Sequence, residues 1–231
     1  QAYPESQVFL LQDGLQVQSV KTNSDGKFSF VLPGLPAGAF QFALYAKDPE
    51  NRKSAMVNYR VEAETGKSQN LNGIFLPPTL GLDKIVVKQG EEITFSGYAA
   101  PASQVALDAA QAGQNLKAQA SESGFYRFTF STKKLAMGKY PAKTRYSLGS
   151  TNSPFSALLE FLVGEKTVVA EKPGVCPKKA DFNNDCRVNL VDFSILAYWF
   201  YKPGFPEEID LNQDNLIDLV DFSILGYYWE G

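Results

Sequence analysis

Histidine is absent from all 231 residues. With it go the usual general base, every Ser-His-Asp or Cys-His constellation, and the commonest metal-ligating side chain. Cysteine occurs only as Cys176 and Cys186, a spacing that is neither CxxC nor a zinc pattern. A short-loop disulfide is the expectation, which would suit an oxidising compartment; two unpaired small apolar residues are the alternative. No apolar run approaches the roughly 20 residues needed to cross a bilayer, so membrane insertion is not expected. The start has no charged segment leading into an apolar one, so any secretion signal is expected to be removed or to lie outside this numbering. No Gly-rich phosphate loop opens a helix, and no Lys/Arg cluster offers a face for nucleic acid.

What is present reads as globular: 44% hydrophobic residues with 13% aromatics. Net charge is −3 but uneven, because ten acids and four bases follow from Cys176 onward, against fifteen acids and eighteen bases before it. Cations are the natural partner of that acidic end. The first three quarters alternate as strands do, in Lys27-Phe28-Ser29-Phe30-Val31-Leu32, Gln41-Phe42-Ala43-Leu44-Tyr45-Ala46 and Tyr126-Arg127-Phe128-Thr129-Phe130. Asp13-Gly14, Asp25-Gly26 and Pro33-Gly34 punctuate them as turns. Short strands at this spacing predict antiparallel sandwiches.

The chain also repeats itself. Ala2-Tyr3-Pro4-Glu5-Ser6-Gln7-Val8 recurs as Ala99-Ala100-Pro101-Ala102-Ser103-Gln104-Val105, and Leu35-Pro36-Ala37-Gly38 answers to Leu135-Ala136-Met137-Gly138. Two copies of one sandwich are therefore expected, over residues 1–78 and 79–165. The second copy begins with two strands and their turn, from Leu82 to Phe95, that have no counterpart in the first. Either an upstream piece lies outside the numbering, or a strand from another molecule completes the first sandwich. Together with Thr22-Asn23-Ser24-Asp25-Gly26-Lys27-Phe28-Ser29-Phe30, these segments resemble bacterial immunoglobulin-like and carboxypeptidase-regulatory-like repeats. That resemblance implies extracellular spacers or adhesive modules without an active site. Residues 166–175 suit a linker.

The chemistry concentrates in residues 176–231. Asp181, Asn183, Asp185, Asn189 and Asp192 stand at positions 1, 3, 5, 9 and 12 of one loop, and Asp210, Asn212, Asp214, Asp218 and Asp221 repeat them 29 residues later. Such spacing turns alternating short oxygen-bearing side chains inward together, as calcium requires, with position 7 giving only its backbone carbonyl. Position 7 holds Arg187 and Leu216, a variation that a backbone ligand tolerates. Each loop runs into a short helix, Leu190-Val191-Asp192-Phe193-Ser194-Ile195-Leu196 against Leu219-Val220-Asp221-Phe222-Ser223-Ile224-Leu225, with Phe193, Leu196, Ala197 and Phe200 expected on the buried face. The Lys202-Pro203-Gly204-Phe205-Pro206 break must end the first helix.

This loop–helix duplication, with Asp at position 12 and no helix leading into either loop, resembles the dockerin family. The resemblance implies two calcium ions held by those loops, and docking onto a cohesin-like protein partner. Position 6, usually Gly, holds Cys186 and Asn215; Asn tolerates positive φ, and a Cys176–Cys186 bridge would help hold the first loop. Positions 10 and 11, where cellulosomal members often carry Ser or Thr for partner contact, are Leu190, Val191 and Leu219, Val220. That departure argues against a cellulosomal partner, and the apolar pairs could instead pack on the neighbouring sandwich.

Paired acids such as Glu91 with Glu92, or Glu62 with Glu64, imply no cleft, and the aromatic set Tyr198, Trp199, Tyr227, Tyr228 and Trp229 suits core or interface better than sugar stacking. The expectation is a mainly β, non-catalytic protein of the cell surface or extracellular space: two tandem antiparallel Ig-like β-sandwiches, then a small α-helical dockerin-like domain with two calcium loops. Docking to a separate protein is the first functional reading. Self-assembly of copies into a filament or layer, by strand donation to the first sandwich, is the second, and carbohydrate adhesion by the sandwiches is a third.

Overall fold

A computed structural model describes residues 1–170, 179–183 and 187–229. The chain divides into two compact units, Gln1–Glu171 and Lys172–Gly231. The protein is mainly β, and the described residues hold two α-helices, both in the second unit.

The first unit holds two modules. In the first module β1 (Gln7–Gln12), β2 (Leu15–Lys21), β3 (Gly38–Lys47) and β4 (Val57–Ala63) form one antiparallel sheet in the order β2-β1-β3-β4. Asp13 and Gly14, both at positive φ, make the tight turn that lets β2 fold back on β1. Alternation then puts Val8 and Leu10 opposite Ala46 and Leu44 on the buried face.

The second module is a two-sheet sandwich. β5 (Gly81–Leu82), β7 (Glu92–Tyr98) and β10 (Phe125–Ser131) form one sheet. β6 (Lys84–Lys88), β8 (Gln104–Ala109), β9 (Gln114–Gln119), β11 (Gly138–Leu148), β13 (Leu159–Gly164) and β14 (Val168–Val169) form the other, with β12 (Thr151–Asn152) paired to β11. The opening strand divides between the sheets, and β6 runs parallel to β13. This strand order is immunoglobulin-like. Ile93, Phe95, Tyr126 and Phe128 meet Val105, Leu107, Phe161 and Val163 in its core. Tyr140, near the start of β11, donates its hydroxyl back to the Ala136 carbonyl at 2.9 Å, the tyrosine corner of such sandwiches. Its counterpart Phe40 lacks the hydroxyl.

The sequence repeat has a physical basis. In Tyr3-Pro4-Glu5-Ser6 and Ala100-Pro101-Ala102-Ser103 the third residue takes positive φ, 55° at Glu5 and 51° at Ala102. The closing serine donates to the carbonyl three residues back in both copies, Ser6 to Tyr3 at 2.7 Å and Ser103 to Ala100 at 2.6 Å. Gly26 and Gly124 sit where an added Cβ would lie 2.5 Å from the carbonyls of Ala2 and Ala99 respectively. Only glycine permits that approach.

Two segments depart from the sequence reading. Residues 27–32 alternate exposed and half-buried as a strand should, yet they join no ladder. Their counterpart, β10, is held by β7, and no strand stands in the place of β7 in the first module. Val168 and Val169, placed in a linker by composition, instead pair with β6 as β14.

In the second unit α1 (Leu190–Trp199) and α2 (Leu219–Tyr227) pack through Val188, Leu196, Ile209, Leu211, Ile217 and Leu225. The expected apolar face needs correction. Asp192 and Leu196 are buried and Ile195 and Trp199 half-buried, whereas Phe193, Ala197 and Phe200 face outward. The helix turns its loop-closing carboxylate inward, and that rotates the stripe. Phe193 still meets Phe222 edge to face, ring centroids 5.0 Å apart.

Candidate metal centre

All loop positions of the second copy are described. Asp210 is buried and accepts from the backbone N–H groups of Gln213 at 2.7 Å and Asp214 at 3.3 Å through Oδ1, and of Asn215 at 2.7 Å through Oδ2. These bonds coil the chain around the position-1 carboxylate. Asn215 takes φ +66° and Gln213 φ +62°, a conformation that asparagine tolerates better than most residues. Asp214 Oδ1 accepts from Leu216 N at 2.9 Å, and its Oδ2 from the Asn212 amide at 2.8 Å.

Asp221 closes the loop from the first turn of α2. It is fully buried, and its Oδ1 accepts from Leu211 N at 2.9 Å while Oδ2 accepts from Asp218 N at 2.9 Å. Asp218 in return accepts from Val220 N at 2.7 Å, completing a capping box. The first loop repeats the arrangement. Buried Asp192 accepts from Phe182 N at 2.8 Å and Asn189 N at 2.9 Å, and Asn189 accepts from Val191 N at 2.8 Å. Positions 9 and 12 are thus helix caps as well as loop positions. The N-x-x-D and D-x-x-D spacings carry that second role in the sequence.

Asp181, at position 1 of the first loop, is buried, and it, Asn183 and Arg187 all have interactions within the protein. Asp185, Cys176 and Cys186 lie outside the described residues. Among the described residues no three acidic or thiol side chains converge as a metal-binding group; the carboxylates turn onto backbone donors. The donor set nonetheless fits a hard cation: Asp210, Asn212, Asp214, Asp218 and Asp221 offer oxygen only, and the Leu216 carbonyl lies between them in sequence. Among the described residues none of these four acids has an ion-pair partner.

Beside the loops, the duplicated apolar pairs face outward. Leu190 is 67% exposed and Val191 51%, against 70% for Leu219 and 48% for Val220. Tyr198 and Tyr227 are exposed, while Trp199 and Tyr228 pack partly into the core. The acid pairs of the first unit form no site: Glu62 faces Arg60, Glu64 faces Lys67, and Glu91 accepts from the Thr167 hydroxyl at 2.6 Å. Among the described residues no helix is long and apolar enough to cross a membrane.

No protein-family model matches the chain, and no curated protein sequence does. Among solved structures it is similar to the fibronectin(III)-like modules of Clostridium thermocellum CbhA, at 14% identity over 70% of this chain and 79% of that one, with a TM-score of 0.27. A BSP domain of a biofilm-associated protein is similar at 16% identity over 71% of this chain and 25% of that one, TM-score 0.27. The D00-D0 domain of intimin is similar at 15% identity over 67% and 77%, TM-score 0.30. The immunoglobulin-like character of the second module rests on its own strand order.

Proposed function

We propose that the second unit is a calcium-folded, dockerin-like docking module, carried by non-catalytic Ig-like modules that act as a spacer at the cell surface or outside the cell. Two calcium ions are held, one by Asp181, Asn183, Asp185, the Arg187 carbonyl, Asn189 and Asp192, the other by Asp210, Asn212, Asp214, the Leu216 carbonyl, Asp218 and Asp221. Each ion replaces cross-loop repulsion by attraction, so its binding free energy adds to folding. The partner is a protein domain of cohesin-like kind, received on Leu190, Val191, Leu219 and Val220.

One observation carries this reading: both copies bury the position-12 aspartate completely and lock it into the same capping box, Asn189 with Asp192 and Asp218 with Asp221. A polar surface loop has no need to bury a carboxylate twice in the same way. The outward apolar pairs, alike in both copies, support a binding face.

Calorimetry on the whole chain tests it. Titration with calcium chloride should give two equivalents taken up and reversed by EGTA, with Asp214→Ala leaving one. Absence of uptake, together with circular dichroism indifferent to EGTA, would exclude the reading. If both ions bind and Leu190→Asp with Leu219→Asp leave every cohesin-type interaction unchanged, the docking part alone fails.

A further inference from the structure

The two modules of the first unit differ on the outward face of one pair of strands, and the repeat makes the difference readable. In the first module Phe9 on β1 lies opposite Tyr45 on β3, and their rings stack with centroids 4.8 Å apart at 11°. Because Gln7-Val8 answers to Gln104-Val105, the equivalent pair in the second module is Ala106 on β8 opposite Arg145 on β11. Lys117 of β9 stands on the other side of Ala106. A methyl group between two long cationic side chains leaves a hollow where the first module has a ring. That hollow is a groove of about 190 Å³, lined by Ala106, Asp108, Asn115, Lys117, Arg145 and Phe155 among others.

Strand spacing sets the backbones of Lys117 and Arg145 about 10 Å apart, wide enough for one six-membered ring to lie between them. Both residues are exposed, and among the described residues neither has an ion-pair partner. The Arg145 guanidinium is held 5.1 Å from the centre of the Phe155 ring, and Lys143 Nζ lies 4.2 Å from the same centre. Phe155 is thus a positioning residue that fixes two cations at the rim. In the next row Asp108 faces Lys143 at 3.6 Å and accepts from Ala110 N at 3.3 Å. Its carboxylate keeps lone pairs for further donors, and Asn115, opposite it on β9, offers both a donor and an acceptor.

The combination selects the ligand. Two uncompensated cations call for an anion, while a carboxylate and a carboxamide beside them call for hydroxyl groups. Asp108 would repel the side chains of an acidic peptide but accepts from a sugar. At about 190 Å³ the groove is smaller than the roughly 300–1,000 Å³ of a drug-sized ligand site, so it takes one ring of a longer chain. We propose that this face binds an acidic polysaccharide. One uronate ring lies over Ala106, with its carboxylate on Arg145 and Lys117 and its hydroxyls on Asp108 and Asn115. The planar fork of Arg145 suits both carboxylate oxygens at once. The site uses no residue of the second unit.

Isothermal titration of the whole chain in EGTA tests this, the chelator excluding calcium bridges between the probe and the acidic loops. The probes are oligomers of galacturonate, glucuronate and mannuronate, with neutral hexose oligomers and poly-glutamate of matched length as counterparts. At least one uronate oligomer should bind, and its neutral counterpart and poly-glutamate should bind about tenfold more weakly or worse. Arg145→Gln should weaken binding by about tenfold or more. Ala106→Phe, which imports the residue of the first module, should abolish it by filling the groove. Absence of binding by every uronate oligomer would overturn the proposal. So would wild-type affinity in Arg145→Gln, whether or not Ala106→Phe folds. Poly-glutamate bound as tightly, and lost with the same substitutions, would name an acidic protein as the ligand and overturn it too.

Discussion

Arg52 donates through Nε to Asp48 at 2.7 Å, and both side chains are almost wholly withdrawn from water. Asp48 also accepts from the Thr79 hydroxyl at 2.7 Å, while Arg52 Nη1 reaches the Ser96 hydroxyl at 3.3 Å and the guanidinium lies 5.5 Å from the Tyr98 ring centre. The loop after β3 thereby fastens the first module to β7 of the second. A buried ion pair contributes little net stability over an apolar equivalent, but losing Asp48 leaves the buried Arg52 only the part-exposed Glu50 at 3.3 Å. Asp48→Ala should therefore cost about 3–5 kcal/mol in denaturant unfolding. The double variant Asp48→Leu with Arg52→Met should recover much of that loss; a double variant as unstable as the sum of its parts would contradict the argument.

Glycine at position 97 answers to a steric demand. A Cβ there would stand 2.0 Å from the Thr79 carbonyl oxygen and 2.6 Å from the Tyr126 hydroxyl. Gly97→Ala should destabilise the first unit by about 3 kcal/mol or more, as overpacking against backbone does. Gly113, at φ +66° with open space around it, should lose only the left-handed penalty of about 1–2 kcal/mol on the same change. Thermal unfolding of the two variants side by side checks the ranking.

Tyr126 ties the sheets together, donating to the Thr79 carbonyl and lying 2.9 Å from the Thr144 hydroxyl. Burial pushes its pKa well above 10, with the Thr144 bond opposing in part. The folded state thus keeps the proton that the unfolded state loses near pH 10, so stability is intact below pH 10 and declines above it. Tyr126→Phe should flatten that alkaline decline at Tyr126 and cost about 1–3 kcal/mol at neutral pH by leaving the Thr79 carbonyl without this donor. Chemical denaturation at pH 8 and pH 11 reads both effects.

Asp214 and Asp221 should separate metal binding from capping. Asp214 is exposed and bonds only within its loop, whereas Asp221 is buried and holds the start of α2. Without calcium, Asp221→Ala should lower stability by about 1–2 kcal/mol through the lost cap, and Asp214→Ala by little. With calcium in excess both should lose the second ion. Stability curves in EGTA and in calcium for the two variants give the comparison.

Local features were legible in sequence because local physics produces them. Asn215 at positive φ, the loop-to-helix starts at Leu190 and Leu219, and the Asp13-Gly14 hairpin all follow from residue type and spacing. Partnerships across long separations were not. Residues 27–32 have the alternation of a strand, but a ladder depends on a neighbour that no local pattern reports. Val168 and Val169 lie 82 and 85 residues from the β6 residues they meet, Val86 and Lys84. The Asp48–Arg52 fastening joins an ordinary-looking loop to Thr79 and Ser96, and charge alternation alone gives no sign of burial. On α1, periodicity identified an apolar helix, yet the need to bury Asp192 decided which side faced in.

The parallel contact between β6 and β13 also governs how the second module meets tension. β6 lies near the module's entry and β13 near its exit, and they run side by side through Val86 with Leu162 and Val87 with Val163. Traction applied at the two ends draws these strands past each other lengthwise, so their rungs share the load together instead of parting one by one. β14, antiparallel to β6 with Val169 against Lys84 where the pull enters, peels away first, and the β6–β13 rungs then bear the load in shear.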